Sequence, residues 1–294
     1  MITSVDSVAI GGQLRHQAVM HSGWLRFLLS FALFGASVCS QESKKPAKVG
    51  KASGDAHIKE ELGVNQFTAP GIDLLLKALR DLRPIPYDKV SRQIPASAPA
   101  NRAQLALSTG GVIADGFLAV IAERGSDIEP VGRALLRNAK GLGVGDYVTR
   151  HTRSILEQAA RKNWTEVEAE LIGAQRDVES GMMALKDEEV AHLVALGGWW
   201  RGLEVAATII AESYTPERAA LLVQPAVLDY FIDRVSTLNP RTKQKPLFAL
   251  VESNLSGLRK LTVKDDRSPP SAEEVKKIHE LAKTTNEAVV KPSE

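Results

Sequence analysis

The chain has 294 residues and a formal net charge of +2, so it lacks the strong basic excess that is typical of nucleic-acid-binding domains. Acidic and basic residues alternate along almost every predicted helix, which also argues against a nucleic-acid partner. Cys39 is the only cysteine, so no intrachain disulfide can form and stability must come from a packed core.

The first predicted element is a secretory signal over residues 1–40. Arg26 precedes an apolar run at 27–34, and the small residues at 35–37 follow, which is the order of charge, core and cleavage zone in such signals. The apolar core is shorter than the ~20 residues that cross a bilayer as a helix. We therefore expect export without a permanent transmembrane anchor, with Met20 as an alternative start to Met1.

Two processing routes are open at the end of this signal. A peptidase that cuts after Ser40 would release the chain, whereas lipidation of Cys39 would tether it to a membrane. Residues 36–39 resemble a bacterial lipoprotein box, although its first and third positions depart from the usual leucine and small residue. Residues 41–65 are polar and rich in Lys, Gly, Ser and Ala, which predicts a flexible tether.

Helical periodicity after the tether predicts an all-α fold, a bundle of about seven to nine helices. We assign the main helical domain to residues 66–262, a linker to 263–270, and a separate C-terminal amphipathic helix and tail to 271–294. Prolines, glycines and capping residues set the boundaries. The predicted helices cover about 70–82, 99–123, 128–140, 146–162, 163–181 and 187–212, one that begins at 215 and is broken or kinked at Pro225, and then 246–261 and 271–290.

Capping boxes are predicted at the starts of two of these helices. Asn163 with Glu166, and Ser271 with Glu274, have the spacing in which each side chain bonds to the backbone N–H of the other residue.

Residues 105–181 and 192–257 contain similar motifs in the same order, a possible internal repeat that we call the echo. Gly110-Gly111 and Gly197-Gly198 each begin an apolar helix, and similar motifs follow at offsets that drift from 87 to 83 residues. A true duplication predicts two helical units around a pseudo-twofold axis. The alternative is a chance match between two segments rich in alanine and leucine.

The glycine pairs cost helix propensity of roughly 1 kcal/mol per residue, so some interaction must offset them. One interpretation is a close approach between helices, because glycine lets two backbones meet. The other is a ligand pressed against exposed backbone.

Charged residues inside these apolar helices have three interpretations. Asp115 is the only ionisable residue between Gly110 and Ala122, and Arg201, Glu204 and Thr208 form one stripe on the sister helix. The stripe faces solvent, or Asp115 and Arg201 form a structural ion pair, or these groups line a ligand site.

Trp199-Trp200 is the densest aromatic feature of the chain. Adjacent helical residues point about 100° apart, so we expect one indole in the core and the other in a groove. The ligand-site hypothesis joins this pair to nearby charges and to polar residues of the echoed motifs: Asp115, Asp146, Tyr147, Arg150, Trp199, Trp200, Arg201 and Glu204.

Glu189 and His192 are the weaker, metal-binding alternative. A Glu and a His three residues apart share a helix face in di-iron carboxylate bundles, but those proteins use two such motifs and this chain has one. Sequence signatures of nucleophile elbows, phosphate loops and dinucleotide sites do not occur. We therefore assign no catalytic residue and expect no cofactor.

These patterns predict an exported, bacterial-type envelope protein that binds a partner protein or small molecule without catalysis. Its only predicted membrane attachment is a lipid on Cys39. The alternatives are a helical metalloprotein and an assembly in which the final helix docks on another chain.

Overall fold

The computed structural model describes the backbone of residues 72–291 and the side chains of residues 77–291. The predicted signal, Cys39 and the 41–65 tether lie outside the described residues. Within the described part the only regular elements are helices, which confirms the all-α prediction. They are α1 (Ile72–Asp81), α2 (Tyr87–Val90), α3 (Arg102–Ile121), α4 (Gly125–Leu142), α5 (Gly145–Ala160), α6 (Trp164–Ala184), α7 (Glu188–Glu212), α8 (Pro216–Ala220), α9 (Pro225–Ser236), α10 (Pro240–Lys243), α11 (Pro246–Thr262) and α12 (Ala272–Val290).

One of the two predicted capping boxes is present. Ser271 accepts a hydrogen bond from the Glu274 backbone N–H, and the Glu274 carboxylate accepts one from the Ser271 backbone N–H at 2.7 Å. The box at Asn163 is wrong: that side chain makes no cap bond and donates instead to Gln158 at 3.2 Å. The short helices α2 and α10 were not predicted, because four residues are too few to show a period.

The centre of the fold is the pair α3 and α7, which run in the same direction. Arg102 and Asp187 form an ion pair near their N-terminal ends, and Asp115 meets Arg201 further along. Both helices are long and apolar enough to cross a membrane, but 100% and 83% of their apolar windows are buried inside the protein. They are therefore packed here as core helices.

Glycines allow the two central backbones to touch. A Cβ on Gly110 would lie 1.8 Å from the Val194 carbonyl oxygen, and one on Gly197 would lie 2.0 Å from that of Leu107. Close helix approach is therefore the explanation for these two glycines. The contact is reciprocal between residues that the echo pairs, since Gly110 corresponds to Gly197 and Leu107 to Val194. This reciprocity is what a pseudo-twofold axis would produce, and the duplication itself stays a prediction.

The remaining helices surround this pair. Helix α4 packs on α3, α5 packs between α4 and α6, and α6 also contacts α3 and α7. Among the later helices, α9 packs on α11, and α11 packs on α12. Helix α1 packs on α7. The buried apolar faces meet in one continuous core that includes Phe117, Trp200, Phe231 and Phe248.

Helix α12 packs within the helical body, although the sequence placed it outside, beyond a linker. It lies against α7 and α11, and its apolar residues Val275, Ile278 and Ala282 are buried. The side chain of Gln104 on α3 also donates to the Val289 carbonyl oxygen at 3.0 Å. Docking of this apolar face on another chain is therefore excluded while α12 keeps its place.

Candidate functional site

The charged residues of α3 and α7 form a buried network. Asp115 and Arg201 are only 5% and 2% exposed. One Asp115 carboxylate oxygen accepts from Arg201 Nε at 2.7 Å, and the other accepts from Arg92 Nε at 2.9 Å. The structural ion pair is thus the correct interpretation for these two residues, and solvent exposure is wrong because neither side chain reaches the surface.

Further bonds extend this network across the fold. Arg201 also donates to Glu204 at 2.9 Å and to the Val90 carbonyl oxygen. Asn286 of α12 donates to the Glu204 carboxylate at 2.9 Å and to the Trp200 carbonyl oxygen at 3.1 Å. Burial alone would lower the pKa of Arg201, but the charges of Asp115 and Glu204 raise it, so its guanidinium stays charged. The network therefore ties α3, α7, α12 and the end of α2 together.

The two tryptophans separate as their helical geometry predicts. Trp200 is fully buried in the core. Trp199 is half-buried, donates from Nε1 to Gln224 at 3.1 Å, and has its ring 5.3 Å from that of Phe231. Trp199 is therefore the indole that is available to a ligand.

Trp199 forms one wall of a cavity of about 50 Å³, which we call the Trp199 pocket. Among the described residues that line it, none carries a formal charge. Small residues of α7 make room for the cavity, and Gln175 and Gln224 supply its polar groups. The lining consists of Ala78, Gly110, Ile113, Gln175, Val194, Ala195, Gly198, Trp199, Gly202, Leu203, Ala206, Leu221, Leu222, Gln224, Val227 and Phe231.

The other candidate residues do not join this pocket. Asp146, Tyr147 and Arg150 are exposed on α5, and the Tyr147 ring lies against Gly181 of α6. Asp115, Arg201 and Glu204 belong to the buried network. The predicted site residues therefore do not come together. Trp199 lines the pocket, Trp200 lies in the core, and the other six are divided between α5 and the buried network.

Asp115 also lines a second pocket, of about 350 Å³, which we call the Arg92 pocket. Its lining combines polar residues from the segment around α2 with apolar residues of α3 and α4. These are Tyr87, Ser91, Arg92, Gln93, Ile94, Asp115, Leu118, Asp127, Pro130 and Val131. Sequence reasoning missed Tyr87 and Arg92, because they stand in a proline-interrupted segment that shows no helical period.

Glu189 and His192 bond to different elements of the fold. Both Glu189 carboxylate oxygens hold the start of α10, accepting from Asn239 N at 2.9 Å and from the Thr242 hydroxyl at 3.0 Å. The His192 Nδ1 lies 2.6 Å from the Tyr230 hydroxyl oxygen. Within residues 77–291 no three His, Cys, Asp or Glu side chains converge as a metal site would require.

Comparison with known proteins adds no assignment. No protein-family model, curated protein or solved structure matches this chain. Its function must therefore be argued from its own residues.

A separate polar cluster joins α5 to α6. His151 Nδ1 lies 2.5 Å from the Glu170 carboxylate, and Nε2 lies 3.0 Å from that of Asp177. The ring packs on Gly173, where a Cβ would come within 2.6 Å of it. Burial alone would raise the pKa of Glu170, but hydrogen bonds from His151 and Ser154 lower it. Both ring nitrogens of His151 therefore lie against carboxylates of α6.

Proposed function

We propose that this chain is an exported, non-catalytic envelope protein, bacterial in type, that binds an apolar group of a small molecule or partner protein in the Trp199 pocket. The observation that carries the proposal is an uncharged cavity beside a half-buried tryptophan. A cavity of about 50 Å³ has room for one small apolar group of a larger molecule rather than for a whole ligand.

Three features of the lining support an apolar occupant. Its charge-free surface would leave an ionic group unpaired, which is expensive in a buried setting. The indole and the Phe231 ring offer flat apolar surface. Gly202 also lines the cavity and has no side chain to fill it.

The buried charge network holds α7, the helix that carries Trp199, in place within the core. Arg201, Asp115 and Glu204 already bond to one another, so they stabilise α7 rather than meet a ligand in the Trp199 pocket. The metal-binding alternative has no comparable support, since both oxygens of Glu189 bond to the start of α10.

The proposed location depends on residues 1–40 and on Cys39. Cleavage after Ser40 would give a free exported chain, and lipidation of Cys39 would give one held on the envelope by the 41–65 tether. The intact mass of the protein purified from its own envelope separates the two, because a diacylated Cys39 adds the mass of its lipid.

Xenon, a small neutral apolar atom, tests the pocket, because a cavity of about 50 Å³ is too small for an aromatic probe. We expect the xenon chemical shift, measured by NMR, to report binding to the wild-type protein, and Ala195→Leu to weaken that binding at least tenfold by filling the cavity. The matched control is Ala249→Leu, the same substitution on the exposed face of α11. Equal binding by both variants, each with an unchanged melting temperature, would refute the site.

A further inference from the structure

The Arg92 side chain lines the Arg92 pocket, with Nη2 beside Gly111, 2.8 Å from where a Cβ on that glycine would lie. Its Nε is bonded to Asp115, but neither terminal amino group has an acceptor among the described residues. The side chain is 21% exposed, so a ligand can reach it. A guanidinium with two free amino groups is suited to a carboxylate, which accepts both bonds at once.

Asp127 places the opposite charge in the same pocket. One of its carboxylate oxygens accepts from the Tyr87 hydroxyl at 2.6 Å, and among the described residues the other is approached only by the Ser126 hydroxyl, at 3.4 Å. Burial and the hydrogen bond to Asp127 raise the pKa of Tyr87, so the phenol keeps its proton and holds the carboxylate in place. The second oxygen therefore remains available to a donor.

The balance of charge around the pocket restricts what it can take. Arg92 and Arg201 are matched by Asp115 and Glu204, and Asp127 adds a further negative charge, so an added anion would bring a second unpaired negative charge. A simple cation at Asp127 would leave the Arg92 amino groups unsatisfied. A ligand that carries both charges meets both needs and adds no net charge.

We propose that the Arg92 pocket binds a small zwitterion with one carboxylate and one ammonium group, such as an α-amino acid. The carboxylate would bond to the terminal amino groups of Arg92 and the ammonium to Asp127. Ile94, Leu118 and Val131 supply an apolar wall for a small side chain. The volume of about 350 Å³ lies within the range of small-molecule sites. This site does not depend on the Trp199 pocket.

Isothermal titration calorimetry on the mature protein tests the ligand class. The probes are glycine, L-alanine and L-leucine, with two analogues of leucine that each lack one charge: 4-methylpentanoate, without the ammonium, and 3-methylbutylamine, without the carboxylate. We expect at least one amino acid to bind, and both analogues to bind at least tenfold more weakly than leucine. Equal affinity for leucine and either analogue, or no binding by any of the three amino acids, would overturn the proposal.

Substitutions at the two charges test the place. We expect Arg92→Lys, which keeps a positive charge for Asp115, and Asp127→Asn, which keeps an acceptor for Tyr87, each to weaken amino-acid binding at least tenfold. Arg133→Gln and Asp233→Asn remove exposed charges elsewhere and should leave it unchanged. Unchanged binding by both pocket variants, with wild-type melting temperatures, would overturn the assignment while leaving the proposal for the Trp199 pocket intact.

Discussion

Asp115 and Arg201 show how a charged residue in an apolar helix can be stabilised in the core by an opposite charge. Each would be costly alone in the core, but each meets an opposite charge at hydrogen-bonding distance. The sequence alone allows three roles for these charges, and this ion pair is one of them. It does not distinguish the three, because the two residues are 86 positions apart and their distance is decided by helix packing.

Removal of one buried charge should be far more harmful than removal of an exposed one. We expect Arg201→Met to lower the free energy of unfolding by about 3–5 kcal/mol, since it leaves the Asp115 and Glu204 carboxylates without their shared partner. Arg259→Met is the control, because its ion pair with Asp229 is about half exposed and should contribute less than about 1 kcal/mol. Urea denaturation measures both, and equal losses would contradict the central role of the network.

The cap of α12 should make stability depend on acid pH. The hydrogen bond from Lys264, together with the backbone N–H of Ser271, lowers the pKa of Glu274 to about 2. A lowered pKa stabilises the fold above the ordinary glutamate value of 4.5, and this contribution is lost as pH falls toward about 2. We therefore expect the stability difference between wild type and Glu274→Gln to narrow over that range. A difference that stays constant in denaturation at several pH values would rule this out.

At the scale of elements, some features of the helices are determined by local sequence and others by tertiary contacts. The starts of α8 and α12 follow from Thr215 and Ser271, whose hydroxyls accept from nearby backbone N–H groups. The role of the glycine pairs could be decided only from the structure, because the sequence allowed both a close contact between helices and a ligand against the backbone. Gly110 and Gly198 turn out to serve the helix contact and also to line the Trp199 pocket.

The central helix contact should not tolerate a methyl group. We expect Gly197→Ala to destabilise the protein by at least about 3 kcal/mol or to prevent folding, because the added Cβ meets backbone, which cannot turn aside. Gly257→Ala is the matched control on α11, where the Cβ would lie 3.4 Å from the flexible Leu281 side chain. A thermal melt of Gly197→Ala that matched the control would show that α3 and α7 do not pack this closely.

At the scale of the whole molecule, α12 changes the organisation that composition suggested. The polar, proline-containing residues 263–270 look like a linker between independent parts. In the fold they return α12 to the central helices, where Asn286 donates to the Trp200 carbonyl oxygen of α7 and Gln104 of α3 donates to the Val289 carbonyl oxygen. An amphipathic pattern predicts that a helix has a partner, but it does not say which surface supplies it.

The sequence by itself determined that the chain is helical, where most helices begin and end, and that one of the two adjacent tryptophans must be buried. These properties depend on neighbours within a turn or two, so local periodicity, prolines and caps are sufficient to specify them. Only the tertiary structure decided that Trp199 is the accessible indole, that Asp115 is paired, and that Arg92 and Asp127 line one pocket. Those outcomes depend on contacts between residues far apart in the chain, whose distances no local pattern encodes.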